Sequence, residues 1–153
     1  AETMEDDRGG KIASLGSYGS GVLCALGWYV FFAACLEARH HADSKGLGTG
    51  AYWTPGIVGS LGLVMLNIVN WEVVTDDGGL AGDGSNCKAR AWVTVSFVIM
   101  FCSLFGAVWI LLQEHGKEGI WQGVGYAVMA QNALIFAGGL SFRLCRRHSD
   151  HTV

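Results

Sequence analysis

Apolar residues run without a single Asp, Glu, Lys or Arg through Ile12–Leu36, Gly46–Trp71, Ala91–Gln113 and Gly119–Phe142. Polar links separate them: Glu37–Lys45, Glu72–Arg90 and Glu114–Glu118. A bilayer core about 30 Å thick is crossed by roughly 20 apolar residues in a helix rising about 1.5 Å per residue. Each run meets that length, and together they take up about two-thirds of the chain, so its solvent is the membrane. The pattern predicts an all-α, polytopic membrane protein, an antiparallel bundle of four transmembrane helices. Spans are expected at about 12–36, 50–71, 91–113 and 119–142, with short polar tails 1–10 and 143–153. The third link is so short that the last two helices must form a tight hairpin.

Composition narrows this further. At 153 residues, the whole of 1–153 is one transmembrane domain, and no link is long enough to fold separately. With 23 glycines and 1 proline, the chain suits close-packed membrane helices. A net charge of −3, with no run of like charge in either tail, gives no footing for nucleic acid. The 5 cysteines form no CxxC and no Cys/His ligand spacing. Cys24, Cys35 and Cys102 lie inside apolar runs and read as small hydrophobes. Cys145, flanked by Arg143, Arg146 and Arg147, is a candidate for S-palmitoylation at the membrane surface. The chain opens at Ala1, which fits either removal of an initiator methionine or loss of an upstream targeting peptide.

An even number of spans puts both tails and the second link on one side, with Arg8, Lys11, Lys88, Arg90, Arg143, Arg146 and Arg147. The other side holds only Arg39, Lys45 and Lys117. The positive-inside rule then expects both termini in the cytosol. Trp53, Trp71, Trp92, Trp109 and Trp121 fall near span ends, where amphipathic rings prefer the headgroup level; Trp28 alone lies deep in a span.

Small residues recur at helical spacing. Gly119, Gly123 and Ala127 form a stripe that Gln131 continues, and Gly56 with Ser60 repeats the pattern. Helices in lipid gain little by burying apolar surface, so such stripes serve to let backbones approach and make dispersion contacts. The strongly polar side chains within spans are Asn67, Asn70, Gln131 and Asn132. An unpartnered amide is costly in lipid, so these are expected to hydrogen-bond across helices as structural glue. No Asp, Glu, Lys, Arg or His lies inside any predicted span, and neither Ser103 nor Cys102 has a His or carboxylate at similar depth. Proton relays, coupled transport and intramembrane hydrolysis depend on such groups. The expectation is therefore a protein that is not an enzyme, with no cofactor and no metal. A site in the loops fares no better: Asp76–Ser85 lacks the ordered spacing of an EF-hand, and His40, His41, His115, His148 and His151 read as solvated.

Once the spans are placed, several segments resemble the transmembrane protein 50 family, which includes the fungal vacuolar protein sorting 68 protein. They are Ala89-Arg90-Ala91-Trp92, Cys102-Ser103-Leu104, Val108-Trp109-Ile110-Leu111, and Gln131-Asn132-Ala133-Leu134-Ile135-Phe136-Ala137-Gly138-Gly139-Leu140. Met65-Leu66-Asn67-Ile68-Val69-Asn70 resembles the family's second helix, and Ile12-Ala13-Ser14 with Gly27-Trp28 its first. The resemblance runs from about Lys11 to Arg147. It implies a small four-span protein of eukaryotic endomembranes, associated with late-endosome-to-vacuole transport. The implied partner is a second small four-span protein of the vacuolar protein sorting 55 or leptin-receptor-overlapping-transcript type. The family supplies no catalytic or cofactor residues to carry over. The acidic N-terminal tail and the Asp/Gly-rich second link depart from its pattern.

Two functions are expected on this footing. One is a non-enzymatic trafficking protein of the endosome, vacuole or ER that binds another integral membrane protein, among membrane lipids, through helix faces. The other is a structural accessory subunit of a large respiratory or photosynthetic complex in an organellar inner or thylakoid membrane. The basic asymmetry yields a first prediction. An impermeant thiol reagent applied from the cytosolic side should label a cysteine introduced at position 85 and not one at position 44. The reverse pattern would invert the orientation.

Overall fold

A computed structural model describes residues 2–40, 50–69, 84–115 and 122–150, with side chains at 11, 14–40, 50–69, 87–115 and 122–145. The helices are α1, Glu2–Ala38; α2, Thr54–Ile68, preceded by a 3₁₀ turn at Gly50–Tyr52; α3, Gly84–His115; and α4, Gly123–Asp150. Among the described residues four segments are long and apolar enough to cross a membrane: Ser14–Ala38, Gly50–Ile68, Cys87–His115 and Gly123–Cys145. Among the described residues there is no strand.

The ends differ from the sequence expectation for local reasons. Helical structure continues through the polar tails at Glu2 and Asp150, because extending a formed helix adds a bond for each residue fixed. The second span begins as a 3₁₀ turn rather than at a regular helix start at 50. Pro55, in the first turn of α2, fixes its own φ and carries no N–H, so regular helix begins beside it. The Thr54 hydroxyl bonds back to the Gly50 carbonyl at 2.9 Å, joining turn to helix. At the other end Val69 swings to φ −66°, ψ 133° and closes α2. The third span runs past 113 and carries Glu114 into the helix.

α4 is the hub. Half of its most apolar window is buried, against 22% for α1 and α3. α1 lies antiparallel along it, Gly16 over Cys145, Gly27 over Gln131, and Phe31 in the cluster of Val124 and Val128. α2 runs parallel to α4, and α3 antiparallel to both: Gly59 faces Ser103 and Asn132, Gly62 faces Met100, and Leu66 meets Val93 and Phe142. Three apolar layers result. Phe31, Cys35, Ala38, Ala107, Val124 and Val128 fill the end away from the termini; Leu63, Met100 and Ile135 the middle; Leu66, Val93 and Phe142 the end near the termini. At that last end the Arg143 guanidinium sits 5.2 Å from the centre of the Phe97 ring.

Glycine sets the helix spacing. A Cβ on Gly27 would stand 2.9 Å from the Gln131 carbonyl oxygen, and one on Gly62 would stand 2.5 Å from Met100 Cγ and 3.1 Å from the Ser96 carbonyl. Backbone atoms cannot yield as a side chain can. Gly27→Ala is therefore expected to destabilise the protein by about 1–3 kcal/mol, the usual range for overpacking. Gly21→Ala, on the same helix with nothing within 4 Å of the added carbon, should be neutral or slightly stabilising. Thermal denaturation of the two variants in one detergent checks the contrast; equal shifts would refute close packing at Gly27.

Candidate functional site

Where α4 passes its neighbours near mid-membrane, the apolar layers give way to a polar one. Gln131 is 0% exposed and its side chain lies across the Gly56 backbone. A Cβ on Gly56 would fall 2.6 Å from Gln131 Nε2, so the amide occupies the volume that any larger residue on α2 would need. On its other flank the Gln131 backbone meets Gly27 of α1. Neither Nε2 nor Oε1 of Gln131 has a hydrogen-bond partner among the described residues. The amide acts by shape: a flat wedge between two glycines.

Its neighbour Asn132 does the hydrogen bonding. It is 2% exposed, and its Nδ2 donates to the Val128 carbonyl at 2.8 Å. That leaves Oδ1 facing the Ser103 hydroxyl of α3, which also lies 2.6 Å from the Pro55 carbonyl of α2. Ser103 has a single proton for these two acceptors and serves one at a time. Three helices thus meet at one hydroxyl. Proline helps here, since a Pro ring at the start of α2 displaces no backbone donor that the helix needs.

The end away from the termini holds a second polar contact. Glu114, 5% exposed, takes the Tyr52 hydroxyl on Oε1, while Oε2 packs over Gly125 in the first turn of α4 and has no partner among the described residues. At the C-terminus of α3 the carboxylate opposes that helix's dipole, and beside the start of α4 it is favoured. Exposed His115 Nδ1 lies 3.1 Å from Gln122 Oε1 and ties the same hairpin.

The expected site residues divide accordingly. Gly56, Ala127, Gln131 and Asn132 share the bundle interior, with Gly123 half-buried at the head of α4. Ser60 leaves the packing face; its hydroxyl donates to the Gly56 carbonyl at 2.8 Å and accepts from Trp28 Nε1 at 3.0 Å. Asn67 does not bond across helices: it is exposed, and its Nδ2 returns to the Leu63 carbonyl at 2.8 Å, because α1 stands off from α2 at that level. Cys145 is half-buried against Gly16. Gly119 and Asn70 lie outside the described residues.

Sequence reasoning missed Glu114, assigning it to a link. It continues the spacing of Ser96, Met100, Ser103 and Ala107, all buried, and following that stripe to its end would have found it. The glycine row Gly56, Gly59, Gly62 was equally available at a spacing of three. Among the described residues no cluster of His, Cys, Asp and Glu could hold a metal ion. What the arrangement offers is hydrogen bonding and close contact.

The chain matches the Uncharacterised protein family (UPF0220) over residues 2–151. It is 31% identical over 129 residues to a Transmembrane protein 50 homolog of Dictyostelium discoideum, covering 79% of this chain and 82% of the relative. No solved structure matches it.

The buried carboxylate generates a prediction. Glu114→Gln keeps an acceptor for Tyr52 and removes the charge, so stability should equal or exceed that of the native protein. Glu114→Leu and Tyr52→Phe should each cost about 1–3 kcal/mol through a lost or orphaned polar group. Melting curves of the three decide it; if Glu114→Gln is as damaging as Glu114→Leu, the charge itself stabilises the fold.

Proposed function

The chain belongs to the Uncharacterised protein family (UPF0220), and on that footing we propose that this multi-pass membrane protein works without chemistry of its own, by docking another integral membrane protein against its outward helix faces. The observation that carries this is the free side of α3. Val95, Val98, Cys102, Phe105, Trp109 and Leu112 are all exposed and recur at alternating steps of three and four. That spacing is the seam of a left-handed helix pair. Phe105 at 67% exposed and Trp109 at 66% give it two large rings, with small Cys102 beside them to admit a neighbouring backbone.

The interior supports the same reading. The small residues of α4 are spent inside the bundle, Gly138 on α1 and Gly125 and Gly139 on α3, so a partner helix has to meet the protein elsewhere. The resemblance to the transmembrane protein 50 family supports placing the protein in endosomal, vacuolar or ER membranes, both termini cytosolic, in vesicle trafficking. It supports as partner a four-span protein of the vacuolar protein sorting 55 type.

Gentle purification of the native protein, followed by identification of what co-migrates, tests the proposal. A single small four-span partner is expected. Phe105→Ala with Trp109→Ala should reduce its recovery at least tenfold while protein level and melting temperature stay native. Unchanged recovery would remove α3 as the docking face. Stoichiometric respiratory or photosynthetic subunits would overturn the trafficking role in favour of an accessory subunit.

A further inference from the structure

α1 and α2 do not close on one another. Between them lies a groove of about 490 Å³, within the roughly 300–1,000 Å³ of small-molecule sites. Its two walls differ. The α1 wall is made of small residues, Gly21, Cys24 and Ala25, and is nearly flat; the α2 wall carries the branched side chains Leu63, Val64 and Ile68. Val64 is 53% exposed and Gly21 is exposed, so the groove opens sideways, toward lipid.

Its depth is informative. The floor is the Trp28–Ser60 hydrogen bond, at 3.0 Å. Trp28 and Ser60 each stand within two residues of the middle of their apolar segments, Ser14–Ala38 and Gly50–Ile68, so the floor lies about halfway along both crossings. Beyond it Phe31, Phe32 and Trp53 pack against Trp28 and block further passage. The mouth is at Ser17 and Asn67, close to the span ends on the side of the termini. At about 1.5 Å per residue the groove descends about 16 Å along α1, from Ser17 to Trp28, and about 12 Å along α2, from Ile68 to Ser60, at most about half of a core about 30 Å thick. It is one leaflet deep. A partner's transmembrane helix needs both leaflets; a lipid needs one.

The polar groups at the mouth select among lipids. The Asn67 Nδ2 is held by the Leu63 carbonyl, which fixes the amide's orientation. Its Oδ1 accepts no hydrogen bond among the described residues, so the occupant must bring a donor to the headgroup boundary. The glycerol esters of a diacyl phospholipid offer acceptors there. A sterol offers a hydroxyl, a rigid body one leaflet long, one flat face for the small-residue wall and one methyl-studded face for the branched wall. We propose that the α1–α2 groove is a sterol site, with the sterol hydroxyl donating to Asn67 Oδ1 and the ring system running down to Trp28.

Full-length protein in phosphatidylcholine vesicles, irradiated with a diazirine-bearing, alkyne-tagged cholesterol, tests the proposal. Label should map to residues 17–28 and 60–68 and be displaced by unlabelled cholesterol. Gly21→Leu and Ala25→Leu, which fill the groove, should each cut labelling at least fivefold. Gly19→Leu is the control, since a Cβ there also meets nothing within 4 Å but Gly19 does not line the groove; it should change nothing. Asn67→Leu should weaken labelling at least threefold, and the 3-keto analogue, which lacks the donor, should bind the native protein as poorly. Label spread evenly over the outward faces, indifference to Gly21→Leu and Ala25→Leu, or equal labelling by a photoreactive phosphatidylcholine that cholesterol does not displace would overturn it. So would a disulfide formed between position 64 and a partner's helix.

Discussion

Everything in this bundle depends on how closely two backbones can approach the middle of α4. At Gln131 the α4 backbone is met by Gly27 of α1, and its side chain lies flat on Gly56 of α2. In water such a junction would be one contact among many, because burying apolar surface already drives helices together. Lipid removes that drive and leaves dispersion and a few hydrogen bonds, both of which fall away steeply with distance. Glycine at these crossings is what allows the remaining forces to act. Ser103 can then reach both Pro55 and Asn132, and Met100 can fill the space between Gly62 and Gly139.

The protein accordingly has a closed side and an open side. α2, α3 and α4 interlock through glycines and a shared hydroxyl. α1 holds to α4 along most of its length and meets the second crossing only in its first half, through Trp28 on Ser60 and through Phe31 and Phe32 on Trp53. The groove follows from this asymmetry, since a helix pinned on one flank leaves space on the other. Ser60, at its floor, still takes the Trp28 N–H, whereas Asn67, at its mouth, turns back onto its own backbone.

Much of this was legible in the amino-acid order. Charge-free runs fixed the four crossings, because a bilayer enforces length and apolarity more strictly than a soluble core does. That Ala127 and Gln131 share a face also followed from their spacing of four, and that face is buried; whether it met this bundle or a partner the spacing left open. What the pattern did not reveal was partner choice. Gln131 reads as a hydrogen-bonding residue and serves as a wedge; Asn67 reads the same and faces outward. Both roles depend on the distance to a second helix, which no single segment encodes. Glu114 escaped because a charge marks the end of an apolar run, whereas here Tyr52 and the first turn of α4 cover it.

The shared proton at Ser103 has a consequence for how the helices hold one another. Its hydroxyl faces two acceptors on different helices, the Pro55 carbonyl of α2 and Asn132 Oδ1 of α4, and serves one at a time. When one bond is released the other can form, so the polar centre of the bundle has two states that differ by the turn of a single O–H. The point at which three helices are joined is also the point at which they can exchange grip.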